Sequence, residues 1–347
     1  MRDDRATAAL SFSGVHMSET ILLTHTPDMR RNYYGDRAVA GLAALGSVRF
    51  HEAAAPLAGA SLIAAAQGCR VIVSDRQTPG DAEIFAALPD LVAFVRCAVD
   101  IRNVAVAVAS EHGVLVTHAS PGFVASVAEL VLGYMVDLAR HVTPAAAAYH
   151  GGAAPTALRG VQLRGSTLGI LGYGAIGRYL ADLGVALGMN VLVDDPYAPV
   201  DKPGIAQVEM EDVLARADFV VCLVVANEAT ENLMDDAAFA RMKSSAYFIN
   251  VSRGNLVDEA ALARALDAKR IAGAALDVGR APDQMPSLAL ARRRDVIATP
   301  HVGGLTAPAI EHQALETVAQ VAEILKGKAP KGAANAERAT RLARLRS

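Results

Sequence analysis

The chain contains a glycine-rich turn of the kind that binds a dinucleotide. Gly172, Gly174 and Gly177 follow the apolar stretch TLGIL and begin a helical stretch, in a G-x-G-x-x-G pattern. The first glycine permits a tight turn, the second lets the backbone approach a pyrophosphate, and the third lets the helix pack closely on the strand. The backbone N–H groups of Ala175 and Ile176 are then expected to face the phosphates, because a helix N-terminus attracts anions.

An acidic residue at the end of the next predicted strand completes this pattern. NVLVDD ends in Asp194 and Asp195, about 18 residues beyond the last glycine of the turn. An acid at this point bonds the ribose hydroxyls of the adenosine half. We assign that role to Asp195, with Asp194 as its neighbour. Because an acid repels a 2′-phosphate and no arginine follows closely, the sequence favours NAD over NADP.

Three later segments place polar residues beyond predicted strand ends. INVSRGNLVDE contains Arg253, GAALDVGRAPDQMP contains an acidic turn, and IATPHVGGLT contains His301. Doubly wound sheets bind their ligands outside the carboxyl ends of the strands. An imidazole can give and take a proton near neutral pH, and a guanidinium can hold a carboxylate with two parallel hydrogen bonds. We therefore predict that Arg253 and His301 act together beside the dinucleotide.

Further residues around the same strand ends are predicted to contact the cofactor. One of them, Asp277, also ends a strand, where we expect a structural role. The set is Cys222, Val251, Ser252, Asp277 and Gly303.

The elements that position these residues follow from hydrophobic patterning. Short apolar runs alternate with Ala-rich amphipathic stretches, a pattern typical of parallel sheets with helices on both faces. A helix over 126–140 is expected to cross between domains, and a last helix, roughly 309–326, to return. The predicted strands are 21–25, 47–52, 71–74, 91–97 and 114–118 in a first series, and 167–171, 190–195, 219–225, 246–251, 273–278 and 295–300 in a second.

The prediction for the fold is therefore an α/β protein of two domains with a cleft between them. A Rossmann-type dinucleotide-binding domain is expected over 120–301, and a flavodoxin-like doubly wound substrate domain over 17–119 and 302–335. Residues 1–16 are interpreted as a disordered leader. Residues 336–347 are interpreted as a tail whose arginine-rich part, AERATRLARLR, is a solvated helix end rather than a binding element.

Composition excludes several classes of function. A length of 347 residues favours two domains, and a net charge of -3 gives no basis for binding nucleic acid or an anionic membrane. Three cysteines without C-x-x-C spacing support neither a disulfide framework nor a metal site, and they suit a reducing cytoplasm. The apolar run over 219–226 is far shorter than the roughly 20 residues of a membrane span.

Over residues 18 to about 330, the chain resembles the D-isomer-specific 2-hydroxyacid dehydrogenases, including the phosphoglycerate dehydrogenases. The resemblance depends on LGILGYGAIG, NVSRG, ALDV and TPHVGG, which occur in the family's order. It implies NAD-dependent interconversion of a 2-oxo acid and its D-2-hydroxy acid. It further implies that His301 is the general acid and base, and that Arg253 binds the substrate carboxylate and carbonyl.

The chain departs from the family at the acid that pairs with the histidine. The family usually has a Glu-Pro pair after ALDV, whereas Pro282, Asp283 and Gln284 stand here. A shift of one residue would bring Asp283 to the imidazole, where a carboxylate would favour the protonated ring. Gln284 would bond the ring without that help. We predict Asp283 as the third catalytic residue, with the absence of an acid partner as the alternative.

A second departure lies in the predicted substrate domain, where the family usually has a glycine-rich loop that receives the substrate carboxylate. This chain has RCAVDIRNVAV over 96–106 instead. Arg102 would either meet a second anionic group of the substrate or face solvent at a helix start. The predicted substrate-binding residues are Ala98, Val99, Asp100, Arg102 and Arg253.

Two other functions remain open from the sequence. One is a dinucleotide-sensing binding protein like the corepressors that share this fold, and the other is oxidation of formate or phosphite. A homodimer is expected, because the helix over 126–140 and the Ala-rich stretch after it resemble the family's dimer contacts.

Overall fold

The structure, a computed structural model, describes residues 20–345. The predicted leader over 1–16 lies outside the described residues. The described chain divides into two compact units. The first unit comprises the residues up to Pro121 together with those from Glu311 onward, and the second unit comprises residues 122–310.

The first unit is built on a parallel sheet of the flavodoxin type. Its strands are β1 (Thr20–Leu23), β2 (Ser47–Phe50), β3 (Val71–Ser74), β4 (Ala93–Arg96) and β5 (Leu115–His118). They pair in parallel in the order β2-β1-β3-β4-β5, which is the flavodoxin-like order. Its first five helices are α1 (Pro27–Tyr33), α2 (Asp36–Ala43), α3 (Gly59–Ala65), α4 (Ala82–Ala87) and α5 (Val106–Glu111).

The second unit contains the larger sheet. Its strands are β6 (Thr167–Leu171), β7 (Asn190–Asp194), β8 (Ile205–Gln207), β9 (Phe219–Cys222), β10 (Tyr247–Asn250), β11 (Gly273–Leu276) and β12 (Val296–Ala298). All are parallel, in the order β12-β11-β10-β9-β6-β7-β8, which is a Rossmann order with one added strand. Its helices are α6 (Val124–Arg140), α7 (Val142–His150), α8 (Ala175–Ala186), α9 (Met210–Arg216), α10 (Asp236–Arg241), α11 (Glu259–Asp267) and α12 (Leu288–Ala291).

One more helix, α13 (Ala307–Leu325), begins in the second unit and continues into the first. It corresponds to the predicted last helix.

Strands buried on both faces explain the continuous apolar runs of the sequence. In β3, Val71 and Val73 belong to one apolar cluster of the first unit, and Ile72 between them belongs to the other. The second unit likewise has two clusters, one on each side of its sheet. Since successive side chains of a strand point to opposite faces, both faces must be covered by helices. The predicted α/β class and the two doubly wound sheets are confirmed.

The sequence analysis missed β8. It predicted six strands in the second series, and the structure adds Ile205–Gln207 at the sheet edge. This strand has three residues, none of them buried. A short edge strand with one open face lacks the apolar run by which the others were recognised.

The prediction of a solvated tail is wrong. Residues 336–345 form two 3₁₀ turns, Ala336–Arg338 and Thr340–Leu345. Leu342 and Leu345 are buried in an apolar cluster of the first unit. Arg341 is buried as well, and its guanidinium donates to the carbonyl oxygens of Leu88 and Leu91 at 2.8 and 2.7 Å.

Within residues 20–345, no helix has the length and apolar character to cross a bilayer. The same residues contain no cluster of three or more His, Cys, Asp or Glu side chains arranged for a metal ion.

Candidate active site

In the glycine turn after β6, backbone segments pack directly against one another. Gly172 has a φ of +100°, and a Cβ there would lie 2.7 Å from the carbonyl oxygen of Leu223. A Cβ at Gly177 would lie 2.2 Å from the carbonyl oxygen of Gly172. Neither position can take a side chain without moving backbone, so these two glycines let α8 approach the strand.

Gly174 differs from the other two glycines because it faces open space. A Cβ placed there meets no atom within 4 Å. Gly174 is the N-cap of α8, and Ala175 after it is exposed. The unpaired N–H groups of the first helical turn therefore open onto a space that a pyrophosphate can enter. These residues fit a dinucleotide.

Asp195 braces the glycine turn against the end of β7. Its Oδ2 accepts from the backbone N–H of Tyr173 at 2.7 Å. Its Oδ1 accepts from the backbone N–H groups of Tyr197 and Ala198 at 2.8 and 3.1 Å. The carboxylate predicted to bind ribose therefore lies directly beside the turn predicted to bind phosphate.

The surroundings of the neighbouring Asp194 disfavour its charged form. Burial raises the pKa of its carboxyl, and the nearby acids Glu209, Asp195 and Glu211 raise it further. Of the two adjacent acids, Asp195 is the one whose charge is stabilised by hydrogen bonds.

The two predicted catalytic residues follow strands at the same edge of the second sheet. In the register, Asn250 of β10 faces Leu276 of β11, and Leu276 faces Ala298 of β12. Arg253 comes three residues after β10, and His301 three residues after β12. Because parallel strands end at the same edge, both residues lie at the carboxyl edge of the sheet.

Asp277, between them, organises the histidine loop. It is 1% exposed, and its Oδ1 accepts from the Thr299 hydroxyl at 2.5 Å and from the Val302 N–H at 2.8 Å. Its Oδ2 accepts from the Gly303 N–H at 2.8 Å. The Tyr134 hydroxyl bonds to Thr299 and extends the chain to α6. These contacts give Asp277 the structural role that was expected of it. A direct contact between Asp277 and the cofactor stays a prediction.

His301 is oriented by a main-chain carbonyl. Its Nδ1 lies 3.0 Å from the carbonyl oxygen of Asp283. A carbonyl can only accept, so Nδ1 carries the proton and Nε2 is the nitrogen that can exchange a proton with a ligand. The imidazole thus pairs with the backbone of Asp283; its pairing with the Asp283 carboxylate stays a prediction.

The backbone around this contact is unusual. His301, Asp283 and Gln284 each have a φ of 57°. Residues other than glycine rarely adopt this left-handed region, and such strain is concentrated at functional sites. The conformation turns the Asp283 carbonyl toward the ring, which no side-chain pattern of the sequence encodes.

The loop that carries Arg253 is braced by Asn250, which is 1% exposed. Asn250 accepts from the Ser252 N–H at 3.1 Å through Oδ1 and donates to the Arg253 carbonyl at 2.9 Å through Nδ2. The Ser252 hydroxyl donates to the Val224 carbonyl at 2.7 Å, and the Arg253 guanidinium donates to the Ser252 carbonyl at 2.8 Å. Asn250 is a positioning residue that the sequence analysis missed, although a lone polar residue ending the apolar strand AYFIN was a usable signal.

The contact of Cys222 with the cofactor stays a prediction, and its thiol faces away from solvent. Its side chain is 0% exposed within an apolar cluster, and burial raises the pKa of its thiol to about 12. Val251 is also buried, whereas Ser252 and Gly303 lie in the loops described above. The exposed residue near the end of β9 is Val225, which is 77% exposed.

In the first unit, the predicted substrate loop is closed by an ion pair. Arg102 donates to Asp100 through Nε at 3.0 Å and through Nη2 at 2.6 Å. The Ala98 carbonyl accepts from the Ala119 N–H at 3.0 Å. Arg102 was predicted either to meet an anionic group of the substrate or to face solvent. Neither prediction included its ion pair with Asp100. Substrate contacts of Ala98, Val99, Asp100 and Arg102 stay predictions.

A buried polar cluster follows β1, β3 and β4, and the sequence analysis missed it. Asp75 accepts from the hydroxyls of Thr24 and Thr78, both at 2.6 Å. Burial acts to raise the pKa of Asp75, but these hydrogen bonds and the nearby His25 outweigh it, so the pKa is lowered. Arg96 is fully buried, and this burial lowers its pKa to about 10. The available signal was the polar residues at the ends of apolar strands. These are Thr24 and His25, Ser74 and Asp75, and Arg96.

Comparison with known proteins agrees with this geometry. Residues 132–303 match the family model described as D-isomer specific 2-hydroxyacid dehydrogenase, NAD binding domain. The chain is 35% identical over 271 residues to the (S)-sulfolactate dehydrogenase of Chromohalobacter salexigens, covering 77% of this chain and 88% of that protein. It is 37% identical over 259 residues to the chloroplastic D-3-phosphoglycerate dehydrogenase 2 of Arabidopsis thaliana, covering 73% of this chain. That alignment spans only 42% of the Arabidopsis protein.

A solved structure shows the same similarity. The TT0316 protein from Thermus thermophilus superposes with a TM-score of 0.80 at 28% identity, over 91% of this chain and 99% of that one. The second unit thus contains an NAD-binding domain of the Rossmann type. The chain belongs to the D-isomer specific 2-hydroxyacid dehydrogenase family.

Proposed function

We propose that the chain is an NAD-dependent oxidoreductase that interconverts a small 2-oxo acid and its D-2-hydroxy acid. The observation that carries this proposal is the placement of Arg253 and His301 after β10 and β12, with Asp277 after β11 between them. Strands two positions apart in a sheet are about 10 Å apart. An extended guanidinium and an imidazole can therefore meet on one small substrate.

Each residue contributes a defined part of the reaction. When bound, NAD supplies the hydride acceptor or donor. Arg253 binds the substrate carboxylate and polarises the carbonyl, which orients it and stabilises negative charge on its oxygen. His301 delivers the proton from Nε2 to that oxygen during reduction, and takes the proton from the hydroxyl during oxidation.

The predicted cofactor residues bind different parts of the dinucleotide. The N–H groups at Gly174, Ala175 and Ile176 bind the pyrophosphate, and Asp195 binds the adenosine ribose. The carboxylate at Asp195 disfavours a 2′-phosphate, which is why we propose NAD rather than NADP.

A turnover assay tests this function. NADH oxidation is followed at 340 nm with a panel of 2-oxo acids, and the configuration of the product is determined. His301→Gln is expected to lower kcat at least 100-fold while NADH affinity is unchanged. Arg253→Gln is expected to raise KM for the 2-oxo acid and to lower kcat. Binding of NADH without turnover of any compound in the panel would instead support a dinucleotide-sensing protein.

We further propose that the chain forms a symmetric dimer through the α7 region. None of the residues of α7 is buried, and Val142 and Tyr149 on it are 51% and 66% exposed. Leu158, after the helix, is 64% exposed. An apolar surface of this kind suits a two-fold contact. Light scattering of the wild type and of Tyr149→Glu measures the mass, and a monomeric wild type would contradict the proposal.

We also propose a cytoplasmic location, because Cys69, Cys97 and Cys222 are all free and buried, which suits a reducing compartment. Cell fractionation followed by detection of the native chain tests this.

A further inference from the structure

Arg280 connects the loops that follow three neighbouring strands of the second sheet. Its Nη2 donates to the Glu231 carboxylate at 2.8 Å, to the Asn232 side-chain oxygen at 2.6 Å and to the Asn255 carbonyl at 3.0 Å. Its Nε donates to the Val257 carbonyl at 3.2 Å. Residues 231–232 follow β9, residues 255–257 follow β10, and Arg280 follows β11. One guanidinium thus joins all three loops.

Two of these loops also touch backbone to backbone next to Arg280. A Cβ at Gly254 would lie 2.0 Å from the carbonyl oxygen of Gly279. Gly254 directly follows Arg253 and begins the 3₁₀ turn Gly254–Leu256. The N–H of Arg280 donates to Glu259 Oε1 at 2.9 Å, at the start of α11. The start of the loop after β11 is therefore fixed against the loop that carries Arg253.

The same loop presents the partner of His301. The N–H of Gly279 donates to the Gln284 carbonyl at 2.8 Å, and the N–H of Ala281 donates to the Met285 carbonyl at 3.0 Å. These two bonds close residues 279–285 into a compact loop. Asp283 lies at its tip in the left-handed conformation, and its carbonyl accepts from His301. A displacement at Arg280 is therefore transmitted to this carbonyl through a few covalent and hydrogen bonds.

We propose, on the basis of the function proposed above, that Arg280 is a positioning residue. It joins the loop of Arg253 to the loop of Asp283. In this way it holds the Nδ1-protonated imidazole of His301 at a fixed position relative to the guanidinium of Arg253. In this chain a backbone carbonyl accepts from the imidazole Nδ1, and Arg280 fixes the loop that presents this carbonyl. A strained loop needs such support, because left-handed residues persist only where the surroundings impose them.

The test compares Arg280→Met with a matched control, Arg264→Met. Arg264 is a partly exposed arginine of the same unit that donates to Asp236 at 3.0 and 2.6 Å, between α10 and α11. Both variants lose an ion pair, but only Arg280→Met releases the loops. For Arg280→Met we expect kcat to fall about tenfold or more, with the NADH dissociation constant within about threefold. For Arg264→Met we expect kcat within about twofold.

Three further measurements distinguish this role from a purely structural one. In Arg280→Met, the pH at which kcat/KM is half-maximal should shift, and Arg280→Lys should restore part of kcat. The ¹⁵N spectrum of His301, assigned with His301→Gln, should show the Nδ1-protonated ring in the wild type and a mixture of tautomers in Arg280→Met.

The outcomes separate this inference from the proposed function. If Arg280→Met keeps the wild-type kcat, pH profile and imidazole spectrum, the role of Arg280 is refuted and the proposed function stands. If the wild type reduces no 2-oxo acid, the proposed function fails, and the imidazole spectrum of the two methionine variants still decides whether Arg280 orients His301. Unfolding of Arg280→Met is recognised by its melting temperature, and Arg280→Lys then replaces it.

Discussion

The imidazole of His301 donates from Nδ1 to the main-chain carbonyl of Asp283 over 3.0 Å. A neutral carbonyl fixes the tautomer and the direction of the ring, as a carboxylate would, but it adds no negative charge. The orientation of the ring therefore depends on the conformation of the loop that presents this carbonyl.

This relationship predicts the behaviour of Asp283→Asn. The substitution keeps the backbone carbonyl, so kcat should stay within about threefold of the wild type. The pH at which kcat/KM is half-maximal in this variant shows whether the charge of the Asp283 carboxylate acts on the ring. Steady-state kinetics between pH 5 and 9 provide the measurement. A loss approaching that of His301→Gln would show that the carboxylate is the working partner after all.

Substitutions at two glycines of the turn are expected to affect NADH binding and stability separately. Gly174→Ala should leave the melting temperature nearly unchanged, because its Cβ meets nothing within 4 Å, yet it should weaken NADH binding at least tenfold by filling the space for the pyrophosphate. Gly177→Ala should instead unfold at a lower temperature, since its Cβ would lie 2.2 Å from a carbonyl oxygen. Calorimetry and fluorescence titration with NADH measure the two effects. Equal NADH affinity in Gly174→Ala and the wild type would argue against a phosphate at this helix start.

The two adjacent acids after β7 predict opposite effects. Burial and the neighbouring acids raise the pKa of Asp194. A raised carboxyl pKa means that stability is lost as the pH rises through it, so the charged form is a liability at pH 7. Asp194→Asn should therefore melt higher than the wild type at pH 7, with the difference shrinking toward pH 3.

Asp195→Asn is the matched comparison. It weakens three backbone hydrogen bonds of the turn and should lower both the melting temperature and the affinity for NADH. Less discrimination against NADPH should accompany the loss of charge. A higher melting temperature in Asp195→Asn than in Asp194→Asn would reverse this assignment.

His25 predicts an acid sensitivity of the first unit. Burial lowers its pKa from 6.5 to about 4; Asp75 acts in the opposite direction, and Arg30 and Arg96 add to the lowering. Because the folded state disfavours the protonated ring, stability is lost as the pH falls from 6.5 toward 4. The full effect is about 3 kcal/mol. Urea unfolding at pH 7, 6 and 5 should show this loss in the wild type and a smaller one in His25→Gln.

The partly exposed His51 of the same unit serves as the control for that experiment. His51→Gln removes an imidazole of the same unit, and its loss of stability between pH 7 and pH 5 is measured beside that of the wild type. An unchanged pH dependence in His25→Gln would mean that other groups cause the acid sensitivity.

Local patterns were sufficient to predict the sheets and the dinucleotide turn. Parallel strands buried on both faces require apolar runs such as VIVS. Gly177 is required by a contact within one strand-turn-helix unit, and Gly172 by its positive φ and by the chain that follows β9. The contact between His301 and Asp283 was beyond such patterns, because it depends on left-handed φ values of residues that usually avoid them.

Cys222 stays a predicted cofactor contact, although its side chain lies in an apolar cluster. The error in the tail had a different cause. The tail was judged by its arginines, although Ala339, Leu342 and Leu345 recur every three residues and form one buried face. Asn250 and Thr299 could have been found as polar residues bordering apolar strands, but only the folded chain shows what they bond.

The segment 339–345, with Ala339, Arg341, Leu342 and Leu345 buried, affects the order in which the chain can fold during synthesis. The second unit is one continuous stretch, whereas the first needs both its early strands and this distant segment to complete its core. Domains fold as units during synthesis. The core of the first unit is therefore completed only after residues 339–345 have been translated, and the carbonyls of Leu88 and Leu91 meet Arg341 only after the whole second unit has been made.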